Sequence, residues 1–308
     1  MATQHITIVA LVGLLAAGPA ACQGATANAP AGQAADWKQA IASTLGRRGE
    51  DRPGDVYRVS LPRTDLKVAV DGIPIRPAFA LGSWVAFVPR GREVELMGDL
   101  VLLEREIAPV MRRLGEDGLE VTALHNHLLR AEPPTMYLHV EGHGQPEHIA
   151  AALRLALQET GTPLQDARPS PAAASGDGRV DPDAISRALG QQGVPSGDVY
   201  QVSIPRGERI TEHGMEVPNA MGLASAINFQ PAEGGRVATT GDLVLMADEV
   251  VPVQRVLLAN GIEVTAIHTH MLHEEPRLFF MHFWGTGEDR QLAQGLHAAL
   301  EKTNQRQQ

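Results

Sequence analysis

The chain has 308 residues, with 36 acidic and 26 basic side chains and a formal net charge of −10. This length exceeds one average domain, and the excess of negative charge disfavours nucleic acid and anionic membrane surfaces as partners. The chain contains one cysteine, so no intrachain disulfide can form and the fold must be stabilised by packing alone.

The N-terminal segment has the pattern of a secretory signal. Residues 6–17 form an apolar run that is followed by small residues, and the run is too short to span a bilayer comfortably. Cys22 comes directly after Pro19-Ala20-Ala21, where a bacterial lipoprotein would be cleaved and lipidated. Cleavage at the small residues 25–27, without a lipid, is the alternative. In both cases we expect an exported protein, either periplasmic or anchored to the membrane through Cys22.

The rest of the chain is a tandem duplication. Residues 121–144 and 264–287 share eleven residues at a constant separation of 143 positions, and three of these residues are histidines. Stretches rich in small residues and proline precede the first copy and separate the two copies, which indicates a tether and a linker. The predicted organisation is a signal peptide at 1–22, a flexible tether at 23–36, the first repeat domain at 37–162, a linker at 163–179 and the second repeat domain at 180–304.

Each repeat is expected to contain the same order of elements. A short amphipathic helix and a strand come first, and a hairpin follows around Asp71-Gly72, or His213-Gly214 in the second copy. Two further strands, a helix with Pro109 in its first turns, two strands that flank Glu132-Pro133 and a last helix complete the repeat. This order predicts an α+β fold with two tandem homologous domains. Each domain is a mainly antiparallel sheet with helices packed on it and a β-α-β-β-α C-terminal half.

Two aspartates are unusual for the strands in which they lie. Asp99 and Asp242 each follow a glycine inside an apolar run. A β-bulge at this point is one explanation, and a polar contact with a functional site is the other.

The histidines that the copies share lie on the two strands around Glu132-Pro133. A register centred near residue 133 would place His127 opposite His139, and His125 opposite Glu141. Because side chains alternate along a strand, all three histidines would then point to one face of the hairpin, with Leu124 on the opposite, core-facing side. The second copy predicts the same face for His268, His270 and His282.

Three grouped imidazoles are a typical ligand set for a divalent transition metal ion. Zinc is the first candidate and copper the alternative, and an open coordination position would remain for water or for Glu132 or Glu275. The chain has no glycine-rich phosphate-binding motif, so no nucleotide cofactor is expected.

Three functions remain open from the residues alone. The first is an envelope protein that binds a metal ion or a small ligand. The second is a metal-assisted hydrolase with Glu132 or Glu275 as general base, which requires an open site in a concave pocket. The third is a structural or interaction module, in which the histidines are only polar framework and bond to one another and to the backbone.

The segments GDLVL, VTALHNHLL and MYLHVEGHG, with their counterparts in the second copy, resemble the LppY/LpqO family of exported bacterial lipoproteins. The likeness extends over nearly all of residues 37–303. It implies a tandem domain of unknown function, export and often a lipid anchor. The resemblance implies no established activity, substrate or cofactor.

Overall fold

Each repeat folds as a six-stranded antiparallel sheet with helices packed on it, in a computed structural model that describes residues 31–165 and 178–304. The predicted signal segment with Cys22, and most of the predicted tether and linker, lie outside the described residues. The α+β fold with two tandem domains is therefore confirmed. Within the described ranges, no helix has the length and apolar character needed to cross a bilayer.

The elements of the first domain are α1 (Ala31–Leu45), β1 (Glu50–Arg52), β2 (Val56–Pro62), β3 (Ala69–Val70), β4 (Ile73–Pro74), α2 (Pro77–Ala80), β5 (Gly82–Arg90), β6 (Glu93–Leu103), α3 (Glu104–Glu116), β7 (Glu120–His125), β8 (Ala131–Glu132), β9 (Thr135–Gly144) and α4 (Pro146–Leu157). Those of the second domain are α5 (Pro182–Leu189), β10 (Val194–Ser196), β11 (Val199–Pro205), β12 (Thr211–Glu212), β13 (Met215–Glu216), a 3-10 turn (Asn219–Met221), β14 (Ala224–Pro231), β15 (Val237–Leu245), α6 (Ala247–Ala259), β16 (Glu263–His268), β17 (Phe279–Gly287) and α7 (Asp289–Leu300). The strand orders are β1-β2-β5-β6-β9-β7 and β10-β11-β14-β15-β17-β16.

The helices cover one face of each sheet and form its hydrophobic core. In the first domain Leu96 and Leu138 of the sheet pack with Val110 of α3 and Leu153 of α4, all of them fully buried. Leu153 follows Ile149 by four residues, the spacing of a helical face that is apolar on one side. The opposite face of each sheet is therefore left for other contacts.

A buried arginine, repeated in both copies, ties the helix that follows β6 to the sheet. Arg63 donates hydrogen bonds to the Val101 carbonyl at 2.6 Å and to Glu106 at 2.8 Å. Glu106 also accepts a hydrogen bond from the backbone N–H of Leu103, at the start of α3. Arg206 makes the same bonds in the second domain, to Val244 and Glu249. The sequence reasoning missed this motif, although its arginine and glutamate recur 143 residues apart.

A substitution of Gly241 in β15 would test how closely the strands of the second sheet pack. A Cβ atom at this position would clash with the carbonyl oxygen of Ala226 and lie 2.8 Å from Cζ of Phe283. We expect Gly241→Ala to lower the free energy of unfolding by about 1–3 kcal/mol, because the strands must move apart. Urea denaturation followed by circular dichroism measures this change.

The control for this prediction is Gly115→Ala near the end of α3, where an added Cβ would meet nothing within 4 Å. It should leave stability unchanged or raise it by up to about 1 kcal/mol, since alanine is the better helix former. Equal denaturation midpoints for the two variants would contradict the packing argument.

The second face of each sheet packs against the other domain. Arg76 before α2 forms an ion pair with Asp198 at 2.6 Å, and its backbone N–H donates to Gln230 Oε1 at 3.0 Å. The side-chain amide of Asn228 donates to the Phe79 carbonyl at 2.8 Å, and the ring of Phe79 lies edge-on to that of Trp284. Two further hydrophobic clusters contain residues of both domains. The interface therefore buries the faces on which the shared histidines lie.

The strand register around the histidines differs from the predicted one. His125 pairs with Tyr137 and Ala123 pairs with His139, whereas the sequence predicted His127 opposite His139. The reason is that β7 ends at His125, and the residues after it form a longer loop in which β8 pairs with β3 instead of continuing the hairpin. The shift is an even number of residues, so His125 and His139 still share a face.

Two smaller expectations were wrong, and the first helix begins earlier than predicted. Asp99 does not mark a bulge, since β6 pairs continuously with both neighbours, and the irregularity lies in β7 between Val121 and Ala123. Leu124, expected in the core, is 40% exposed on the edge strand β7. Helix α1 begins at Ala31, inside the segment that was predicted to be a flexible tether.

Candidate metal centre between the two domains

The six shared histidines come from three equivalent positions in each domain. His125 is the last residue of β7, His127 lies two residues beyond it, and His139 lies in β9 directly opposite Asp99 of β6. In the second domain His268 ends β16, His270 follows it, and His282 of β17 is opposite Asp242. The duplicated sheet therefore presents the same three side chains twice.

The closest imidazole pairs join the two domains. Ring centroids are 3.5 Å apart for His125 and His268. They are 3.6 Å apart both for His127 with His282 and for His139 with His270. Within the first domain, by contrast, His125 lies 5.0 Å from His127 and from His139. The reciprocal pairing is what a two-fold relation between the copies produces, and it makes one joint cluster instead of two separate triads.

Aromatic rings and a hydroxyl group hold the loop histidines in place. His127 stacks on Tyr137 with centroids 3.3 Å apart, and His270 stacks on Phe280 at 3.4 Å. Thr265 of the second domain donates a hydrogen bond of 2.6 Å to the backbone carbonyl of His127. These contacts order residues that lie beyond the ends of the strands.

Most of the imidazole nitrogens have no hydrogen-bond partner among the described residues. Seven buried ring nitrogens are in this state: both of His125 and the Nε2 atoms of the other five histidines. His282 is bonded at its other nitrogen, since Nδ1 lies 2.9 Å from the Gly241 carbonyl. A carbonyl can only accept, so Nδ1 of His282 carries the proton and Nε2 keeps its lone pair for a ligand bond.

The six rings are held in the neutral state. Burial lowers the pKa of His125 to about 3, assisted by the charge of His268, and burial lowers the pKa of His268 to about 4. Burial, together with charges on neighbouring imidazoles, also lowers the pKa of each of the other four histidines well below its ordinary value. A neutral imidazole is the form that binds a metal ion.

Two aspartates lie beside the rings. Asp99 Oδ1 is 3.9 Å from His139 Nε2, and Asp242 lies 3.7 Å from His270 Nε2 and 3.8 Å from His282 Nε2. Burial raises the pKa of Asp99 to about 7, and burial with the charge of Asp99 raises that of Asp242 well above its ordinary value. A cation at this place would favour the ionised carboxylates, which can orient ligating imidazoles or bind the ion themselves.

Four of the histidines meet the geometric condition for sharing one ion. One nitrogen from each of His125, His268, His270 and His282 lies within 4.8 Å of the other three. A tetrahedral zinc site with bonds of 2.0–2.1 Å separates its nitrogens by about 3.4 Å, so small side-chain rotations suffice to close the set. Within the described residues this is a candidate metal-binding group that both domains contribute to.

The two glutamates that were considered as general bases lie elsewhere. The side chains of Glu132 and Glu275 are exposed, and their backbones pair with Ala69 and Thr211 on the short hairpins. Both glutamates precede a cis proline. Their carboxylates are not members of the histidine group. Of the polar residues beside the rings, the sequence pointed to Asp99 and Asp242 as one of two alternatives, but it missed Thr265.

A model of a domain of unknown function, DUF1259, matches residues 39–159 and again residues 183–302. No curated protein matches the chain. The structure has a weak likeness to the trimeric bacterial microcompartment shell protein PduB, with 11% identity over 83% of this chain and 89% of the other, and a TM-score of 0.20. EtuB from Clostridium kluyveri gives 8% identity over 82% and 88%, with a TM-score of 0.19. Because the family model covers most of the chain in two copies, the chain belongs to the DUF1259 family and contains two tandem copies of its domain.

Proposed function

We propose that the protein binds one divalent transition metal ion between its two domains, through a centre to which both domains contribute histidine ligands. The observation that carries this proposal is the convergence of six neutral imidazoles, three from each copy, of which seven buried ring nitrogens lack partners among the described residues. Buried polar groups in native proteins are nearly always satisfied, so seven unpaired nitrogens in one place call for a ligand that accepts lone pairs. A metal ion is such a ligand.

Zinc is the first candidate and copper the second. Both ions accept imidazole nitrogen, and a set of four such ligands suits the tetrahedral preference of zinc. The ion would add positive charge beside Asp99 and Asp242, whose burial is otherwise unfavourable for their ionised forms. The charge of a divalent ion and two carboxylates would then balance.

The geometry favours binding over hydrolysis. The rings are half-buried or buried between the sheets, and a cavity lined by His139 and His270 has a volume of about 10 Å³. Such a cavity holds about one water molecule, far less than a substrate requires. The polar-framework alternative is also disfavoured, because hydrogen bonds between the histidines would leave fewer nitrogens unpaired than the seven in the structure.

The cellular setting that we propose is the envelope. It is supported by the signal-like residues 6–17, by Cys22 at the place of a lipoprotein cysteine, and by the resemblance to the LppY/LpqO family. The lipid on Cys22 would hold the domains at the membrane without a spanning segment. Metal storage, delivery or sensing at the envelope are functions that a buried centre of this kind can serve.

Elemental analysis of the purified protein, produced without an affinity tag, tests the proposal. We expect about one zinc or copper ion per chain after reconstitution with either metal and removal of the excess. The same protein should lose the ion to a strong chelator and regain it on addition of metal. A metal content at background level in correctly folded protein would refute the proposed function.

A further inference from the structure

A second group of ligand-type side chains lies at the domain interface, outside the six histidines. Glu141 of β9 meets Glu212 and His213 of the β12-β13 hairpin of the other domain, with one ligand atom of each within 4.8 Å of the others. Glu212 is 1% exposed. Its Oε1 accepts a hydrogen bond from the backbone N–H of His273, whereas its Oε2 has no partner among the described residues. Oε1 of Glu141 is buried and unpartnered as well.

The internal duplication shows that the fold does not need these charges. The positions of the first hairpin and second sheet that correspond to Glu212 and Glu141 are occupied by Val70 and Trp284. Two further glutamates belong to this part of the interface, Glu274 and Glu95. Their counterparts in the other copy are Ala131 and Ala238. These four residues are buried together in one apolar cluster: Val70, Ala131, Ala238 and Trp284. The same place in the two-fold related half of the interface therefore contains four glutamates in place of four apolar residues.

Only part of this buried negative charge is compensated by arginine. Glu95 forms an ion pair with Arg90 at 2.7 Å, and Glu274 forms one with Arg277 at 3.2 Å. For Glu141 and Glu212, the one ion-pair partner among the described residues is His213, whose Nε2 lies 3.9 Å from Glu212 Oε1. Carboxylates placed together without a cation destabilise a fold, so a bound cation would offset the cost.

We propose that Glu141, Glu212 and His213 form a second divalent cation site, separate from the histidine centre and independent of the function proposed above. Two carboxylate oxygens and one imidazole form a harder ligand set than four imidazoles, which favours manganese and similar cations. The exposed ring of His213 leaves the site open to solvent on one side. Glu141 also lines the small cavity that His139 and His270 line, so the two sites border the same cavity.

Titration of the chelator-treated full chain with Mn²⁺, followed by electron paramagnetic resonance of the free ion, tests this site. We expect one Mn²⁺ per chain, and at least a tenfold weaker affinity in Glu141→Gln and in Glu212→Gln. His213→Asn should weaken binding less, because asparagine keeps an oxygen ligand and tolerates the positive φ of 50° at this position. Glu132→Gln, which changes an exposed carboxylate outside the site, is the matched control and should bind as the unchanged chain does.

Two further variants make the result decisive. Glu212→Val introduces the residue that the first domain has at the equivalent position, so it should fold, as urea denaturation can show, and should not bind Mn²⁺. His268→Ala removes a ligand of the histidine centre and should leave Mn²⁺ affinity unchanged. Wild-type affinity in Glu212→Val, or loss of Mn²⁺ in His268→Ala, would overturn the proposal of a separate site.

Discussion

The chelator-treated protein is expected to lose stability steeply as the pH falls below about 6.5, because its six clustered histidines are neutral in the fold. The pKa of His125 is about 3 and that of His268 about 4, and the other four are well below the ordinary value. In the unfolded chain each histidine takes up a proton near pH 6.5. Between these values the unfolded state binds more protons, so the free energy of unfolding falls as the pH falls.

Buried acids oppose this effect in part. Burial raises the pKa of Asp99 to about 7 and that of Glu141 to about 8. It raises the pKa of Asp242 and of Glu274 as well. At pH values between the pKa of the unfolded state and that of the folded state, these groups hold a proton only in the folded state. Their contribution to stability is therefore lost as the pH rises through the folded pKa. Six histidines outnumber them. Each net proton changes the stability by about 1.4 kcal/mol per pH unit, and we expect a net loss of about 2–3 kcal/mol between pH 7 and pH 5.

Urea denaturation at pH 7, 6 and 5 in the presence of a chelator measures this dependence. The double variant His125→Asn with His268→Asn should show a shallower slope, since two of the titrating groups are gone. His148→Ala, which changes an exposed histidine of α4, should leave the slope unchanged. A free energy of unfolding that does not vary across this range would mean that the histidines are not buried as neutral groups.

The repeated elements could be predicted from the sequence because local patterns determine them. Strand β6 ends with the apolar run that follows Asp99, and the hairpins at Asp71-Gly72 and His213-Gly214 form where residues that tolerate positive φ occur. The register of β7 with β9 could not be predicted in the same way. It depends on the loop after His125, whose β8 segment pairs with a strand that is more than 50 residues earlier in the chain.

The candidate site was predicted only in its parts. All six histidines were identified from their duplication, and the common face of His125 and His139 followed from strand alternation. His127 and His270 were expected on the same strand face, but they lie beyond the ends of β7 and β16. Their meeting across the interface was not predicted, because sequence periodicity describes one sheet and contains no information on how two sheets pack. The exposed positions of Glu132 and Glu275 were not predicted either. They depend on the pairing of the backbones of these residues with the short hairpins, which holds them away from the rings.

Replacement of His268 by alanine is expected to weaken zinc binding by more than 100-fold. His268 belongs to the group of four nitrogens within 4.8 Å and lies closest to His125 of the other domain. Loss of a residue that only supports a ligand costs about 10–100-fold in metal affinity, so loss of a direct ligand should exceed that range. Competition with a chromophoric zinc chelator measures the affinity, and His148→Ala is the control that should bind normally.

The same experiment separates a joint centre from two independent ones. In a joint centre, His125→Ala in the first domain should reduce affinity as strongly as His268→Ala, and each single variant should weaken binding of the whole metal content, because the two rings serve one ion. His127→Ala should have a smaller effect, since His127 lies outside the group of four. Independent sites would instead leave half of the metal bound in each single variant.

Since the four ligands come from both domains, bound metal should also raise the stability of the whole two-domain unit, by RT ln(1 + [metal]/Kd). At a free zinc concentration 100 times Kd this amounts to about 2.7 kcal/mol, and His125→Ala should abolish it although three of the four ligands remain.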